Sequence, residues 1–188
     1  SKWLHLSGIS LAISQSACET AFAAMQIARS TNTLISFDSN LRLKLWSLDL
    51  ARKKITLAIK ECDLFLPSMD DMTVLTGLSD PQAVIDWSHT QGADSVVLKL
   101  GAQGALISKP SEGLRKLVNG YQVEAVDATG AGDCFCGNLL ARLAAGDDLV
   151  NAVQYANAAA SIAVQGWGAV SSLPTPEAVR KRLEITAI

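Results

Sequence analysis

Histidine and cysteine are scarce in this chain of 188 residues, which has two histidines and four cysteines. Neither His5 nor His89 has a second ligand at a metal-binding spacing. Cys134 and Cys136 stand two residues apart on a predicted helix, so their side chains do not face each other. We therefore expect no cysteine or histidine metal centre, and we interpret the cysteines as reduced thiols that fill small core positions.

An excess of charge of one sign is also absent. Lysine and arginine number 16, aspartate and glutamate number 18, and the formal net charge is -2. This balance argues against a basic surface for nucleic acid or for an anionic membrane. No apolar run is long enough to span a bilayer, and the first residues have no signal-peptide architecture. These absences predict a cytoplasmic protein without a nucleic-acid or membrane partner.

Apolar runs typical of strands alternate along the chain with longer helical patterns. The predicted strands cover residues 2–7, 33–38, 63–67, 94–101 and 104–108, and the predicted helices cover residues 14–30, 47–62, 68–77, 80–92, 130–146, 148–164 and 176–185. This alternation is typical of an α/β fold, a three-layer sandwich with a mainly parallel sheet flanked by helices. We expect residues 1–188 to form a single domain.

Ligands of such sheets bind beyond the carboxyl ends of the strands. Four predicted loops follow strands or precede helices at that edge, and they cover residues 38–42, 67–71, 101–104 and 127–133. We expect these four segments to form one functional rim.

The stretch "DATGAGD", residues 127–133, is the most specific of the four. Gly130 and Gly132 flank Ala131 where a helix is predicted to start, and a helix start exposes unpaired N–H groups at a positive dipole end. Together they favour an anion, most plausibly a phosphate group. Asp133 would repel that phosphate, and one useful reason to keep it there is to accept a proton from an attacking hydroxyl. The alternative is an ordinary capped helix after a turn, with Asp133 complementing the dipole.

The longer stretch "DATGAGDCFCGNLLARLAAG" resembles the second signature of the ribokinase-like, or PfkB, carbohydrate kinase family. The resemblance implies that Asp133 is the catalytic base, that it contacts the substrate, and that Gly130, Ala131 and Gly132 form the anion hole. It also implies ATP and Mg²⁺ as cofactors. Ala128 stands where the family has Thr or Pro.

"FDSNLRLKLW" resembles the "FDPNLRxxLW" stretch of 2-keto-3-deoxygluconate kinases and of some fructokinases, with Ser39 in place of the usual proline. The resemblance implies that Arg42 binds the substrate, and a guanidinium can hold a carboxylate through two hydrogen bonds. The alternative is a solvated strand end, with Trp46 in the core.

"PSMDDMTVLTG" is similar to the family's N-x-x-E segment, which helps to hold magnesium and phosphates through water. Ser68 stands for the asparagine and would contact the nucleotide phosphates, and Asp71 stands for the glutamate and would serve the metal. Both supply oxygen ligands suited to a hard cation. Ser68 also fits as the N-cap of a helix, and the two roles are compatible.

Two further stretches resemble the family's nucleotide-binding segments. In "VVLKLGAQGALIS", Lys99 and Gly101 would lie near the ATP phosphates and Gly104 would serve the turn; a tight turn alone is the alternative. In "YANAAASIAVQGWGA", Asn157 and Gly168 match residues that border the adenine pocket. A buried asparagine needs a partner, which could equally be the backbone.

The resemblance covers essentially the whole chain but only the C-terminal part of the family's architecture, without its N-terminal strands, lid and Gly-Gly sugar-binding segment. We expect ATP-dependent phosphorylation of a sugar or sugar acid. The leading candidate for the substrate is 2-keto-3-deoxygluconate, and a fructokinase or ribokinase-like activity is the alternative. A non-catalytic nucleotide-binding fragment is the alternative from another class. Uncovered sheet edges also predict self-association, and nucleotide binding is expected to survive better than sugar phosphorylation. A dinucleotide-binding fold lacks support, because no G-x-G-x-x-G follows an early strand.

Overall fold

Within residues 1–186, which a computed structural model of the chain describes, five of the six strands match the apolar runs that predict them. The strands are β1 (Trp3–Ser7), β2 (Leu34–Asp38), β3 (Leu64–Leu66), β4 (Ser95–Lys99), β5 (Gly104–Lys109) and β6 (Leu114–Asn119). The helices are α1 (Gly8–Ala12), α2 (Gln15–Ser30), α3 (Leu48–Glu61), α4 (Met69–Thr76), α5 (Pro81–Thr90), α6 (Ala131–Ala145), α7 (Leu149–Ala163) and α8 (Pro176–Thr186).

The six strands form one sheet in the order β1-β2-β3-β4-β5-β6. Strands β1 to β4 pair in parallel, with Phe37 opposite Phe65 and Phe65 opposite Val96. The rings of Phe37 and Phe65 stack with their centroids 6.3 Å apart, and both side chains are fully buried. The predicted α/β fold, a mainly parallel sheet flanked by helices, is therefore confirmed.

The chain divides into two compact units. The first unit comprises Ser1–Lys99 and Leu106–Lys116, and its core is formed by apolar side chains of the strands and of α2, α3 and α5. The second unit comprises Leu100–Ala105 and the chain from Leu117 onward. Helices α6, α7 and α8 pack against one another there, around buried Cys134, Ala158, Ala159, Ala163 and Val179.

Short polar side chains set the starts of most helices. Each of them accepts a hydrogen bond from the backbone N–H three residues further on, which satisfies one of the unpaired donors of a helix start. The capping residues are Ser14, Ser47, Ser68, Asp80 and Asp148. The predicted end of α4 at Gly77 is also present, with φ at 80°.

Two elements were not predicted. Helix α1 has only five residues and no side-chain cap, so no periodic pattern announces it. Strand β6 lies at the end of the sheet, where Arg115 and Lys116 point to solvent and the apolar run of a buried strand is missing. Across the described residues, none of the helices combines the length and apolar character that a membrane span requires.

Candidate functional site

In the second unit, α6 begins at a glycine that no other residue could easily replace. Gly130 is the N-cap, and its φ of 75° lies in the left-handed region. A Cβ at this position would lie 2.9 Å from the Cβ of Ala169, closer than carbon atoms normally approach. The glycine therefore serves both the turn into α6 and the close approach of residue 169.

The loop leaves backbone donors open at the start of this 15-residue helix. No side chain caps α6. The N–H of Ala131 donates to the Ala128 carbonyl at 3.1 Å, whereas the N–H groups of Gly130, Gly132 and Asp133 have no acceptor within residues 1–186. Unpaired donors at a positive helix end favour an anion.

Asp133 stands in the first turn of α6 and is exposed. In the part of the chain that the structure describes, its carboxylate has neither a hydrogen-bond donor nor a cation as partner. A carboxylate without such partners keeps its lone pairs available for a proton or for a hydroxyl group.

Asp127 fixes the loop, and we did not assign it this role from the sequence. Its carboxylate accepts the N–H of Thr129 at 2.9 Å and the N–H of Gly168 at 2.9 Å. The Thr129 hydroxyl first, and then these two N–H groups, lower the pKa of Asp127 below its ordinary value. The aspartate two residues before a threonine was a readable signal for the local turn, but nothing in the sequence indicated its bond to Gly168.

Asn157 is buried in α7, and its side-chain amide donates to the carbonyls of Val118 at 3.1 Å and Asn119 at 3.2 Å. The backbone partner that the sequence left open is therefore present. Gly104 has a φ of 102°, and a Cβ there would lie 2.2 Å from the Val118 carbonyl oxygen. Gly101 opens a short 3-10 turn at a φ of 59°, with open space around it.

The first unit holds a second group of polar residues, at the ends of β2, β3 and β4. We call Asp38, Ser39, Ser68, Asp71 and Lys99 the strand-end cluster. The ammonium of Lys99 lies 2.7 Å from the Asp38 carboxylate, and the two side chains are only 14% and 5% exposed. Lys99 was predicted to lie near nucleotide phosphates, and in this structure its ammonium is paired with Asp38.

Ser39 connects the other members of the cluster. Its hydroxyl donates to Oδ2 of Asp71 at 2.7 Å and accepts the N–H of Ser68 at 3.2 Å. Ser68 is the N-cap of α4, and its hydroxyl accepts the N–H of Asp71 at 3.2 Å. The cap role considered for Ser68 is confirmed, and Oδ1 of Asp71 has no partner among the described residues.

Arg42 lies three residues after Ser39 of the strand-end cluster and is exposed. Among the described residues, its guanidinium makes one hydrogen bond, to the Leu41 carbonyl at 2.8 Å. Trp46 is buried, as the alternative interpretation of this stretch expected, and neither its indole N–H nor the buried Oδ1 of Asn40 has a partner in residues 1–186. The φ of Asn40 is 27°, which is rare for a residue other than glycine.

The structure therefore brings the predicted residues together in two groups. Ser68, Asp71 and Lys99 share the first unit with Arg42, although Arg42 makes no bond to them. Gly168 is tied to the glycine loop, residues 127–133, through Asp127. The described residues contain no group of three or more His, Cys, Asp or Glu side chains that could hold a metal ion by themselves.

A family model described as pfkB family carbohydrate kinase matches residues 1–176. Among curated proteins, the chain is similar to probable fructokinase-7 of Arabidopsis thaliana, with 34% identity over 98% of the chain and 56% of that protein. It is similar to the same degree, 34% identity, to the 2-dehydro-3-deoxygluconokinase of Bacillus subtilis, over 93% of the chain and 54% of that protein. The chain thus spans about half the length of these curated relatives.

Among solved structures, the aminoimidazole riboside kinase of Salmonella enterica, in complex with aminoimidazole riboside and an ATP analogue, superposes with a TM-score of 0.89. The two sequences are 32% identical, and the match covers 96% of this chain and 62% of that one. According to their names, these three proteins act on different sugar-like compounds.

Proposed function

The chain belongs to the pfkB family of carbohydrate kinases, and from this premise we propose that it supplies the phosphate-binding and proton-accepting part of an ATP-dependent kinase. The hydroxyl of a sugar or sugar acid is the acceptor. The observation that carries the proposal is the start of α6, where three N–H groups and the Asp133 carboxylate have no partner among residues 1–186.

Asp133 is proposed as the general base. It accepts the proton of the attacking hydroxyl while the hydroxyl oxygen bonds to the γ-phosphorus and the bond from that phosphorus to the ADP oxygen breaks. The open N–H groups of Gly130, Gly132 and Asp133 donate to oxygens of the transferring group and so stabilise the charge that gathers there. Ala131 belongs to the same turn, and its small side chain leaves room for the ligand.

The nucleotide is proposed to contact the residues that the family resemblance implies. The residues proposed to contact the phosphates are Lys99, Gly101, Gly104 and Ser68. The residues proposed to border the adenine are Asn157 and Gly168. Support comes from the bond of Gly168 to the glycine loop, and from a neighbour of the same fold that was solved with ATP and Mg²⁺. Lys99 is the last residue of β4, and it is proposed to serve the phosphates from the end of that strand while its ammonium stays paired with Asp38.

Magnesium is proposed to be held by Asp71. Its oxygen ligand fits a hard cation, and Oδ1 is the carboxylate oxygen that no described residue engages. When bound with the nucleotide, the cation neutralises charge on the phosphate oxygens.

Arg42 is proposed to select the substrate. Its exposed guanidinium, with one bond to its own backbone neighbour, is free to hold a carboxylate. This favours a sugar acid such as 2-keto-3-deoxygluconate, and the second candidate is fructose, because fructokinases are equally similar to the chain. We place the reaction in the cytoplasm, where ATP is abundant and the four cysteine thiols stay reduced.

Self-association is a further part of the proposal. The first unit exposes large apolar side chains, among them Ile13 at 65% and Ile27 at 64%. Exposed apolar surface favours contact with a second copy. Sedimentation velocity at several concentrations tests this, and a monomer at every concentration would contradict it.

The proposed activity is tested by transfer of the labelled γ-phosphate of ATP to 2-keto-3-deoxygluconate, fructose and ribose. We expect 2-keto-3-deoxygluconate to be labelled fastest, and Asp133→Asn to reduce the rate by about 10²-fold or more with the affinity for MgATP unchanged. Equal rates for the two proteins would contradict a base role for Asp133.

Calorimetric titration with MgATP separates the kinase from the second candidate function, a nucleotide-binding module without activity. The open N–H groups at the start of α6 favour this second candidate, because they can bind a phosphate whether or not transfer follows. Binding without any transfer would support the module, and the absence of both would overturn the proposal.

A further inference from the structure

Ser39 is fully buried and makes two hydrogen bonds that determine where its proton lies. A hydroxyl has one proton to donate, and the Ser68 N–H cannot accept it. The proton of Ser39 therefore points to Oδ2 of Asp71, at 2.7 Å, and a lone pair takes the Ser68 N–H, at 3.2 Å. The serine is thus an oriented donor to the Asp71 carboxylate.

The backbone of Ser39 packs closely against the backbone of Gly8. A Cβ at Gly8 would lie 2.0 Å from the Ser39 carbonyl oxygen, so the two backbones are in close contact there. Asp38, the preceding residue, is tied to Lys99 by the buried ion pair. The hydroxyl of Ser39 consequently acts from a fixed position rather than from a flexible loop.

These bonds fix the orientation of the Asp71 carboxylate. Its backbone N–H is bound by Ser68, its Oδ2 by Ser39, and its Oδ1 by none of the described residues. The proline that the related stretch carries at position 39 has no hydroxyl and could not make this contact. An aspartate is also one methylene shorter than the glutamate of the related segment. With the Ser39 hydroxyl bound to Oδ2, the Asp71 carboxylate is therefore restricted to one orientation.

We propose that Ser39 is a positioning residue for the divalent cation that accompanies the nucleotide. Ser39 holds Asp71 so that Oδ1 faces the cation, either directly or through one of its water ligands. This inference rests on the proposed function, in which Asp71 serves the metal. Groups that orient metal-binding side chains typically change metal affinity by about 10- to 100-fold when removed.

The test uses Mn²⁺ as a paramagnetic substitute for Mg²⁺, titrated into the full chain with ADP and followed by electron paramagnetic resonance. For Ser39→Ala we expect the Mn²⁺ affinity to fall about tenfold, with ADP affinity in EDTA unchanged. Asp71→Asn is expected to show a larger loss. Ser88→Ala is the matched control, because Ser88 is equally buried in the same unit and loses one bond, to the Val84 carbonyl at 2.8 Å.

Unchanged Mn²⁺ affinity in Ser39→Ala, with a loss in Asp71→Asn, would overturn the positioning role and leave the proposed function standing. A parent chain that binds neither ADP nor Mn²⁺ with ADP would instead remove the proposed function and the inference with it.

A second measurement needs no variant and covers the case in which Ser39→Ala does not fold. On addition of Mg²⁺ to the ADP complex of the parent chain, the carboxyl carbon resonance of Asp71 and the amide of Ser68 should shift together. If both resonances stay in place while ADP is bound, the inference is wrong.

Discussion

The two polar groups of this chain are built in opposite ways. In the strand-end cluster, charged and polar side chains face each other, as in the Asp38–Lys99 pair and the Ser39–Asp71 bond. In the glycine loop, the side chain of Asp127 holds the turn, and the donors at the start of α6 and the Asp133 carboxylate have no described partner.

The paired side chains of Asp38 and Lys99 stabilise the fold, whereas the donors at the start of α6 and the Asp133 carboxylate are available to a ligand. Buried charges must be paired, so removing one partner of the strand-end cluster leaves an uncompensated charge. An exposed helix start can remain open at little cost, because water satisfies its donors until an anion replaces it. We therefore expect loss of the buried Asp38–Lys99 pair to affect stability, and loss of the exposed Asp133 carboxylate to affect the rate.

The largest effect on stability is expected for Lys99→Met. The substitution leaves the Asp38 carboxylate, 5% exposed, without its cation, and we expect a loss of about 3 kcal/mol in the free energy of unfolding. Urea denaturation measures it. Asp133→Asn is the control in the loop and should unfold like the parent, while adding Asp38→Asn to Lys99→Met should restore part of the loss. Equal stability of Lys99→Met and the parent would remove the distinction between the two groups.

A smaller effect separates two glycines of the second unit. Gly130→Ala places a methyl group at a φ of 75° and 2.9 Å from the Cβ of Ala169, so a loss of about 1–2 kcal/mol is expected. Gly137 lies inside α6 with open space around it, and Gly137→Ala should stabilise the chain by about 0.5–1 kcal/mol. Thermal unfolding of both variants measures the contrast, and changes of the same sign would contradict the role given to Gly130.

A pH titration is expected to show a still smaller effect, confined to the loop. The pKa of Asp127 is lowered, chiefly by the Thr129 hydroxyl, so the folded chain favours the carboxylate. The stabilisation is present above the pKa of the unfolded chain and is lost as the pH falls through the folded pKa. The amide resonances of Thr129 and Gly168 should therefore shift together in acid, below the ordinary range of an aspartate. Asp127→Asn should remove that transition, and independent titration of the two amides would argue against a shared carboxylate.

The smallest effect concerns two thiols that lie one in each unit. Burial, with the neighbouring charge of Asp63, raises the pKa of Cys62 to about 12, and burial also raises the pKa of Cys134. A raised thiol pKa holds the proton in the folded chain, so this contribution to stability is lost as the pH rises above the unfolded-chain value. At pH 8 we expect Cys62 to react with a thiol reagent more slowly than Cys134, as peptide mass spectrometry of labelled protein would show. Faster labelling of Cys62 would mean that the first unit opens more readily than the second.

Local patterns carried most of the fold. The apolar runs predicted β1 to β5, and the glycines of residues 130–132 predicted the start of α6. Both predictions succeeded because a buried parallel strand and a helix start each have a short-range sequence pattern. Strand β6 lies at the sheet edge and needs no apolar run. Because Arg115 and Lys116 interrupt its apolar residues, the sequence pattern did not predict it. Helix α1 is shorter than the periodicity that would reveal it.

The site could be predicted only as separate positions. The cap role of Ser68 is local, three residues from its partner, and the sequence showed it. The pair of Asp38 and Lys99 joins residues 61 apart, and Ser39 reaches Asp71 across 32 positions. Both contacts depend on which strands become neighbours, and the spacing of residues along the chain does not contain that information.

The most direct test of the central claim, that the open start of α6 binds the phosphates, is a titration of the isotopically labelled chain with MgATP, without an acceptor, followed by nuclear magnetic resonance. The account predicts that the amides of Gly130, Gly132 and Asp133 show the largest shifts, while the amide of Ala131, bound to Ala128, shifts less. Gly137, further along the same helix, should stay in place. Saturable binding that leaves the amides of residues 130–133 unmoved would contradict the account.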